Sequence, residues 1–180
     1  MPGPYGGQSQ QRWGDNTINA NEYLRDIMMT DLSGRPTGTS DARRKGMCVL
    51  TFFDTASPVS RELLPVLQKL ADVYKESGKV TVLGVSLNDR AETKALVDAL
   101  GIKFPVMTDA DRYHAMVYGL TAFPTTFLAD GTGLVLRKLI GYRPNILNEM
   151  SAAVATFAAV EPIDLFAPPA PPPEPVPAAA

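Results

Sequence analysis

Residues 49–65 read VLTFFDTASPVSRELLP, and this stretch decides the fold. Val49 to Phe53 are apolar, β-branched or aromatic, a run that is typical of a buried strand. Pro58 favours the first turn of a helix, because its fixed φ suits that position and its missing N–H is not needed there. Beyond it, apolar side chains recur every three or four residues, which predicts a helix from Pro58 to about Glu76. We therefore expect a buried strand that ends in a tight turn at a helix N-terminus.

That turn resembles the Trp-Cys-x-x-Cys segment of the TlpA/ResA-like thiol-disulfide oxidoreductases, AhpC/TSA-related members of the thioredoxin-like superfamily. Ala56 stands at the tryptophan position, and the two cysteines are replaced in the run Ser57-Pro58-Val59-Ser60. In this family the helix N-terminus stabilises a reactive thiolate. A serine hydroxyl stays protonated at neutral pH and exchanges no disulfide. We therefore predict a degenerate site with no catalytic residue.

A second segment, FPTTFLADG at residues 123–131, resembles the hairpin that faces the Cys-x-x-Cys turn in the same family. The resemblance implies that Pro124 follows a cis peptide bond and that Phe123, Pro124 and Thr125 form the cis-proline loop. In such proteins the backbone beside this proline pairs with an extended polypeptide as an added strand. The two segments together predict a surface that faces peptide substrates.

The rest of the pattern predicts an α/β, thioredoxin-like fold with a central mixed β-sheet flanked by helices. The resemblance extends upstream to residues 30–50, TDLSGRPTGTSDARRKGMCVL, which look like the family's opening hairpin. Further predicted elements are a strand over 80–87, a helix over 90–100, a strand over 104–107, a helix over 111–118, a strand over 133–140 and a closing helix over 145–160. We expect three parts: an extended N-terminal arm (1–18), the thioredoxin-like domain (19–160) and a Pro/Ala-rich tail (161–180).

The composition argues against nucleic-acid binding and against a metal site. The net charge of −2 offers no field for nucleic acid, and the short basic cluster Arg43, Arg44, Lys45 is predicted to be a solvated loop. One cysteine and one histidine supply too few ligands for a zinc site, and no cofactor is predicted. His114 is expected to be structural or to lie at the surface. Cys48, at the start of the buried strand, is expected to be inert, because buried free cysteines behave as small hydrophobic residues.

The two ends differ from the domain. Half of the 16 prolines lie beyond residue 161, a composition that favours polyproline II and excludes helix or strand interiors. Several residues of the arm and tail are candidate contacts for protein partners. They are the aromatic and apolar residues Tyr5, Trp13, Leu165 and Phe166 and the three consecutive prolines Pro171, Pro172 and Pro173. The sequence contains no apolar stretch of roughly 20 residues, so no membrane span is predicted. The absence of a signal peptide predicts a cytoplasmic chain, and an extracytoplasmic location is the alternative if a signal has been removed.

Three functions compete at this level. The first is a redox-inactive structural or interaction subunit of a larger protein assembly, anchored through its arms, which is not an enzyme. The second is a non-covalent peptide-binding or chaperone-like module that uses the groove between Ser57 and Pro124. The third is a thiol oxidoreductase that uses Cys48 or the thiol of a partner. The loss of both cysteines with retention of the proline loop favours the first.

Overall fold

The quoted stretch forms the central strand of the sheet and the helix that follows it. In the computed structural model, which describes residues 17–169 and 171, the elements follow in the order β1 (Met28–Thr30), β2 (Pro36–Gly38), α1 (Thr39–Lys45), β3 (Met47–Phe53), α2 (Pro58–Val73), β4 (Val80–Ser86), α3 (Arg90–Leu100), β5 (Val106–Thr108), α4 (Tyr113–Val117), β6 (Thr125–Ala129), β7 (Val135–Ile140) and α5 (Pro144–Ala158).

Five strands form the main sheet in the order β5-β4-β3-β6-β7, while β1 and β2 form a separate hairpin. The neighbours β3 and β4 are parallel, as are β4 and β5, whereas β6 runs antiparallel to both β3 and β7. The parallel pairs are joined by α2 and α3, which is the usual way to connect parallel strands. The predicted mixed α/β fold is confirmed.

Strand β3 is buried on both faces, so its alternating side chains enter two different cores. Val49 and Phe53 belong to the core under α2, α3 and α5. Leu50 and Phe52 belong to the core on the opposite face, with residues of α1 and α4. All seven residues of β3 are buried, which explains why the strand reads as a continuous apolar run and not as an alternating one.

The predicted elements are present, but several end points differ. Helix α2 ends at Val73 because Tyr74 leaves the helical conformation, and the Tyr74 hydroxyl bonds Ser151 on α5. Helix α4 begins at Tyr113, where Asp109 accepts the N–H groups of the first turn. The prediction of a loop at the basic cluster is wrong. These cations form the last turn of α1, where positive charge complements the helix dipole.

The segment after α5 packs onto the domain, between α2 and α5. The Leu165 N–H donates to the Asn148 side chain, and the Lys69 ammonium donates to the Leu165 carbonyl oxygen. The Leu165 side chain is 3% exposed, and the Phe166 ring packs edge-on against Tyr142 at 6.1 Å. Leu165 is therefore buried within this domain and Phe166 is half-buried against it, while their role as partner contacts stays a prediction.

Two observations complete the fold. The packed segment continues beyond residue 160, the boundary predicted for the domain. Within the described ranges 17–169 and 171, no helix is both long and apolar enough to cross a membrane.

Candidate functional site

The turn after β3 positions the degenerate residues at the N-terminus of α2. Ser57 is the N-cap, and its Oγ accepts the Ser60 N–H at 3.3 Å, while Pro58 occupies the first turn. Ala56, Pro58 and Val59 are exposed, and Ser57 is half-buried. The first turn of α2 contains no acidic residue, and the Asp54 carboxylate, which accepts the Ala56 N–H, lies just before this positively polarised helix end.

Ser60 differs from its neighbours because it points inward. Its side chain is fully buried, and its Oγ has no hydrogen-bond partner among the described residues. A buried hydroxyl without a partner destabilises the folded state, whereas a thiol at the same place needs no partner. The surroundings of Ser60 therefore suit a cysteine better than the serine that is present.

The cis-proline loop has the predicted conformation. The Phe123–Pro124 peptide bond is cis, which confirms the prediction, and Pro124 is buried. The Pro124 carbonyl oxygen accepts the Gly141 N–H at 2.9 Å, and the Thr125 hydroxyl donates to the Ala122 carbonyl oxygen at 2.7 Å. Gly141, which follows β7 with φ +80, was not predicted to support the site.

The two predicted segments meet at one end of the sheet. Strands β3 and β6 are antiparallel neighbours, and Phe52 is the register partner of Thr125. The turn that follows β3 and the loop that precedes β6 therefore lie side by side. Phe123 is half-buried, and none of the described residues forms a hydrogen bond with its N–H or carbonyl oxygen. These two groups are open to an added strand.

Hydroxyl groups replace the buried acid that the family resemblance would place near Thr51. Thr51 is fully buried on the α2 side of β3, and its hydroxyl pairs with the Thr126 hydroxyl at 2.9 Å. Asp54 lies closer to the turn, where its carboxylate accepts the Ala56 N–H at 2.9 Å. That hydrogen bond shapes the turn, so Asp54 is a turn residue and not a substitute for the buried acid.

Cys48 lies at the other end of β3, beside Ala129 of β6. The five residue-to-residue steps from Cys48 to Phe53 span about 17 Å of strand. The Cys48 side chain is 0% exposed, and burial raises its pKa to about 12, only partly offset by the Arg43 charge. A protonated, enclosed thiol at this distance does not attack a disulfide bound at the Ser57 turn.

The other predicted residues lie away from the Ser57 turn or outside the described residues. His114 lies on α4, half-buried, with its ring stacked edge-on against Tyr113. Among the residues that the structure describes, no group of three or more His, Cys, Asp or Glu side chains is arranged to hold a metal ion. Pro171 is exposed. Tyr5, Trp13, Pro172 and Pro173 lie outside the described residues.

The sequence also matches a family model. Residues 20–138 match the AhpC/TSA family, a range that includes the Ser57 turn, the Pro124 loop and most of β7. The chain belongs to the AhpC/TSA family. This match, together with the relatives described below, confirms the predicted TlpA/ResA-like relationship.

Relatives of this chain are named as thiol-disulfide oxidoreductases. The chain is 33% identical over 116 residues to the thiol-disulfide oxidoreductase ResA of Bacillus thuringiensis, a match that covers 64% of this chain and 66% of that protein. The ResA of Geobacillus thermodenitrificans is 31% identical over 118 residues, with the same coverage. The chain thus spans just under two thirds of these relatives' length.

A solved structure confirms the fold. The putative thiol:disulfide interchange protein DsbE from Chlorobium tepidum superimposes with a TM-score of 0.71 at 21% identity, over 79% of this chain and 99% of that one. At this level of identity the likeness concerns the fold alone.

These comparisons correct the functional prediction. The chain was predicted to be a redox-inactive structural subunit of an assembly and not an enzyme. That prediction is contradicted, because the relatives named above are thiol-disulfide oxidoreductases, an enzyme class. The predictions that the protein is a pseudoenzyme and a complex subunit are contradicted for the same reason.

Proposed function

We propose that this protein serves thiol-disulfide exchange by binding an extended, cysteine-containing polypeptide at the surface formed by the Ser57 turn and the Pro124 loop. The sulfur atoms that exchange belong to the bound polypeptide and to a disulfide-bearing substrate. The observation that carries this proposal is the pair of open main-chain groups on Phe123, beside the cis-proline and next to the N-terminus of α2.

The open groups determine how a polypeptide binds. A segment in extended conformation satisfies the Phe123 N–H and carbonyl oxygen in the manner of an added strand. The exposed Ala56 and Val59 lie on the other side of this surface and offer small apolar contacts. Since Ala56 is small, the turn leaves room for a side chain of the bound segment.

The helix end determines which residue is favoured there. The partial positive charge at the N-terminus of α2 stabilises a thiolate more than a thiol. A cysteine of the bound polypeptide that lies against this end has a lowered pKa. Its thiolate attacks one sulfur of the substrate disulfide, a new S–S bond forms as the old one breaks, and the released thiolate takes a proton from water.

The chain's own composition determines which molecules supply the sulfur atoms that exchange. Its one thiol, Cys48, is enclosed at the far end of β3, and the turn offers only hydroxyl groups. Activity of the kind for which the relatives are named therefore requires thiols from the bound molecules. The serines contribute geometry, because the Ser57 Oγ fixes the first turn of α2.

Fluorescence anisotropy tests the binding step. The probe is a fluorescein-labelled extended peptide with one central cysteine, compared at pH 8 with the same peptide that carries serine. We expect the cysteine peptide to bind about fivefold more tightly, because a charge at a helix end contributes up to about 1 kcal/mol. Equal affinities, or no binding of either peptide, would contradict the proposal.

Two variants localise the site. Ala56→Asp places a carboxylate at the helix N-terminus, which favours the helix but repels a thiolate, so we expect the preference for cysteine to disappear. The matched control is Tyr23→Asp. Tyr23 is 61% exposed and bridges to Leu134, at the opposite end of β6 and β7 from Pro124. We expect this control to bind like the unmodified protein.

A further inference from the structure

The loop after β7, residues 141–143, lies directly beside the Pro124 loop. The Gly141 N–H donates to the Pro124 carbonyl oxygen at 2.9 Å. Gly141 has φ +80, a conformation that glycine adopts without strain, and the chain turns here from β7 into α5. The 141–143 loop is therefore held next to Phe123, whose main-chain groups are open.

Arg143 is the exposed charged side chain of this loop. The preceding Tyr142 is half-buried, and its ring contacts Phe166 edge-on. Within the described part of the chain, no carboxylate lies within ion-pair distance of the Arg143 guanidinium. Its positive charge is thus available to a bound molecule.

A cavity of about 240 Å³ lies beside Arg143. Two cations, three aliphatic side chains and one amide line it, and none of the lining residues is acidic: Asn19, Lys138, Leu139, Ile140, Arg143, Ile146. Two carboxylates of adjoining segments are engaged, because Glu149 pairs with Arg137 at 3.4 Å and Glu22 accepts the Asn19 N–H. The cavity therefore offers a carboxylate room beside the guanidinium and aliphatic walls for its methylene groups.

Arg143 and the N-terminus of α2 border the same face of the sheet. Helices α2 and α5 pack on one core, and Arg143 is the residue that precedes α5. In an extended polypeptide, side chains two residues apart point to the same face and lie about 7 Å apart. A cysteine directed at the α2 end thus has its same-face neighbours two positions before and after it. Arg143 follows Gly141 by two residues, about 7 Å of chain at most, and its long side chain extends this reach.

We infer that the polypeptide bound at the Ser57 turn and the Pro124 loop carries an acidic residue two positions from its cysteine, and that Arg143 binds this carboxylate. The inference rests on the polypeptide binding of the proposed function and names its substrate class, acidic cysteine-containing segments. An arginine fits this task because its planar guanidinium donates two parallel hydrogen bonds to one carboxylate. The ion pair selects among polypeptides that pair equally well with Phe123.

The test uses the full chain and three fluorescein-labelled, end-blocked peptides at pH 8 and low salt. Their sequences are Ser-Asp-Val-Cys-Val-Asp-Ser, Ser-Asn-Val-Cys-Val-Asn-Ser and Ser-Lys-Val-Cys-Val-Lys-Ser. The substituted residues flank the cysteine on both sides, so either strand direction brings one of them to Arg143. We expect the Asp peptide to bind about fivefold more tightly than the Asn peptide, the upper range for an exposed ion pair, and the Lys peptide to bind most weakly. In about 0.5 M sodium chloride the difference should shrink, because salt screens exposed charges.

Two variants that each lose one positive charge localise the effect. In Arg143→Ala we expect the Asp and Asn peptides to bind equally. The matched control is Arg44→Ala, in the last turn of α1 before β3 begins, at the other end of the sheet from Ser57. This control should keep the preference for Asp within about twofold of the unmodified protein. At saturating peptide, exchange of the Phe123 amide should slow equally in the unmodified protein and in Arg143→Ala, which verifies that the variant still binds the segment.

Serine versions of the peptides separate this inference from the proposed function. The preference for Asp should be the same in them, because Arg143 contacts the carboxylate and not the sulfur. Equal binding of the Asp, Asn and Lys peptides, or a preference for Asp that persists in Arg143→Ala, would overturn the inference and leave the preference for cysteine untouched. A preference for Asp that depends on Arg143, without any advantage of cysteine over serine, would support the inference and contradict the thiolate step. Failure of every peptide to bind would overturn both.

Discussion

At the scale of single residues, Ser60 is the most informative position. The sequence predicts that it stands at a cysteine position of the family, and its buried hydroxyl has no partner in the described structure. Its position was predicted from the sequence, because the turn and the spacing from Ser57 fix it. Its missing partner was not predicted, since that depends on what α2 packs against, which sequence spacing does not reveal.

Removal of this hydroxyl should stabilise the protein. We expect Ser60→Ala to raise the free energy of unfolding by about 1 kcal/mol, because the cost of an unpaired buried polar group disappears. Urea denaturation followed by circular dichroism measures the change. The comparison variant is Ser57→Ala, which removes the N-cap hydrogen bond and should lower the free energy of unfolding by about 1 kcal/mol. A loss of stability in Ser60→Ala would show that the hydroxyl is bonded after all.

Cys48 should make stability depend on pH in the alkaline range. Burial raises its pKa from 9.0 in an exposed chain to about 12 in the folded protein. Between these values the unfolded chain releases the proton and the folded chain keeps it, so the free energy of unfolding falls as pH rises. Below pH 9 the contribution is fully present.

The measurement is urea denaturation at pH 8, 9, 10 and 11, with Cys48→Ala as the control. We expect the unmodified protein to lose stability more steeply than the variant above pH 9, by up to about 1.4 kcal/mol per pH unit. Burial and, next, the Cys48 charge raise the pKa of Tyr118, so the difference between the two proteins reports the titration of Cys48 together with its coupling to Tyr118. Parallel curves would mean that Cys48 is accessible to solvent.

At the scale of elements, the N-terminus of α2 has the electrostatics of a thiolate site without a thiol. We expect Ser57→Cys, made in a Cys48→Ala background, to react with iodoacetamide at pH 7 about tenfold faster than Tyr23→Cys in the same background. The reason is that the helix end lowers the thiol pKa. The alkylation rate is measured from pH 5 to 9. Equal rates at both positions would mean that the turn no longer stabilises a negative charge.

The segment after α5 behaves as part of the domain. We expect Leu165→Ala to lower the free energy of unfolding by 2 to 5 kcal/mol, roughly the cost of a large-to-small change in a core. Ile163→Ala is the matched control, because Ile163 is 43% exposed and should lose less than about 1 kcal/mol. Similar small losses in both variants would show that this segment is detached in solution.

Local signals explain which elements were predicted. The run Val49–Phe53, the proline at the start of α2 and the spacing of apolar residues beyond it are all carried by neighbouring residues. Helix α1 was missed because it is only seven residues long and its basic last turn reads as a loop. The contacts of Leu165 and Phe166 were missed for another reason. They join residues distant in sequence, Asn148 and Tyr142, and a proline-rich neighbourhood gives no sign of them.

At the scale of the whole molecule, the protein combines an AhpC/TSA frame with a site that lacks its own reactive sulfur. The sheet brings the Ser57 turn and the Pro124 loop to one end and leaves Cys48 at the other. The named relatives point to thiol-disulfide chemistry. The fold was predicted from the turn and the loop, whereas an oxidoreductase was only the third of the predicted functions, because the turn contains no cysteine.

The decisive measurement is the rate of disulfide exchange between a cysteine peptide and a disulfide-linked peptide, at pH 7 with and without the protein. We expect the unmodified protein and Cys48→Ala to accelerate the exchange equally, and Ala56→Asp to give no acceleration. If Cys48→Ala abolished the acceleration, or if the unmodified protein gave none, the claim that the protein acts through the thiols of bound molecules would be contradicted.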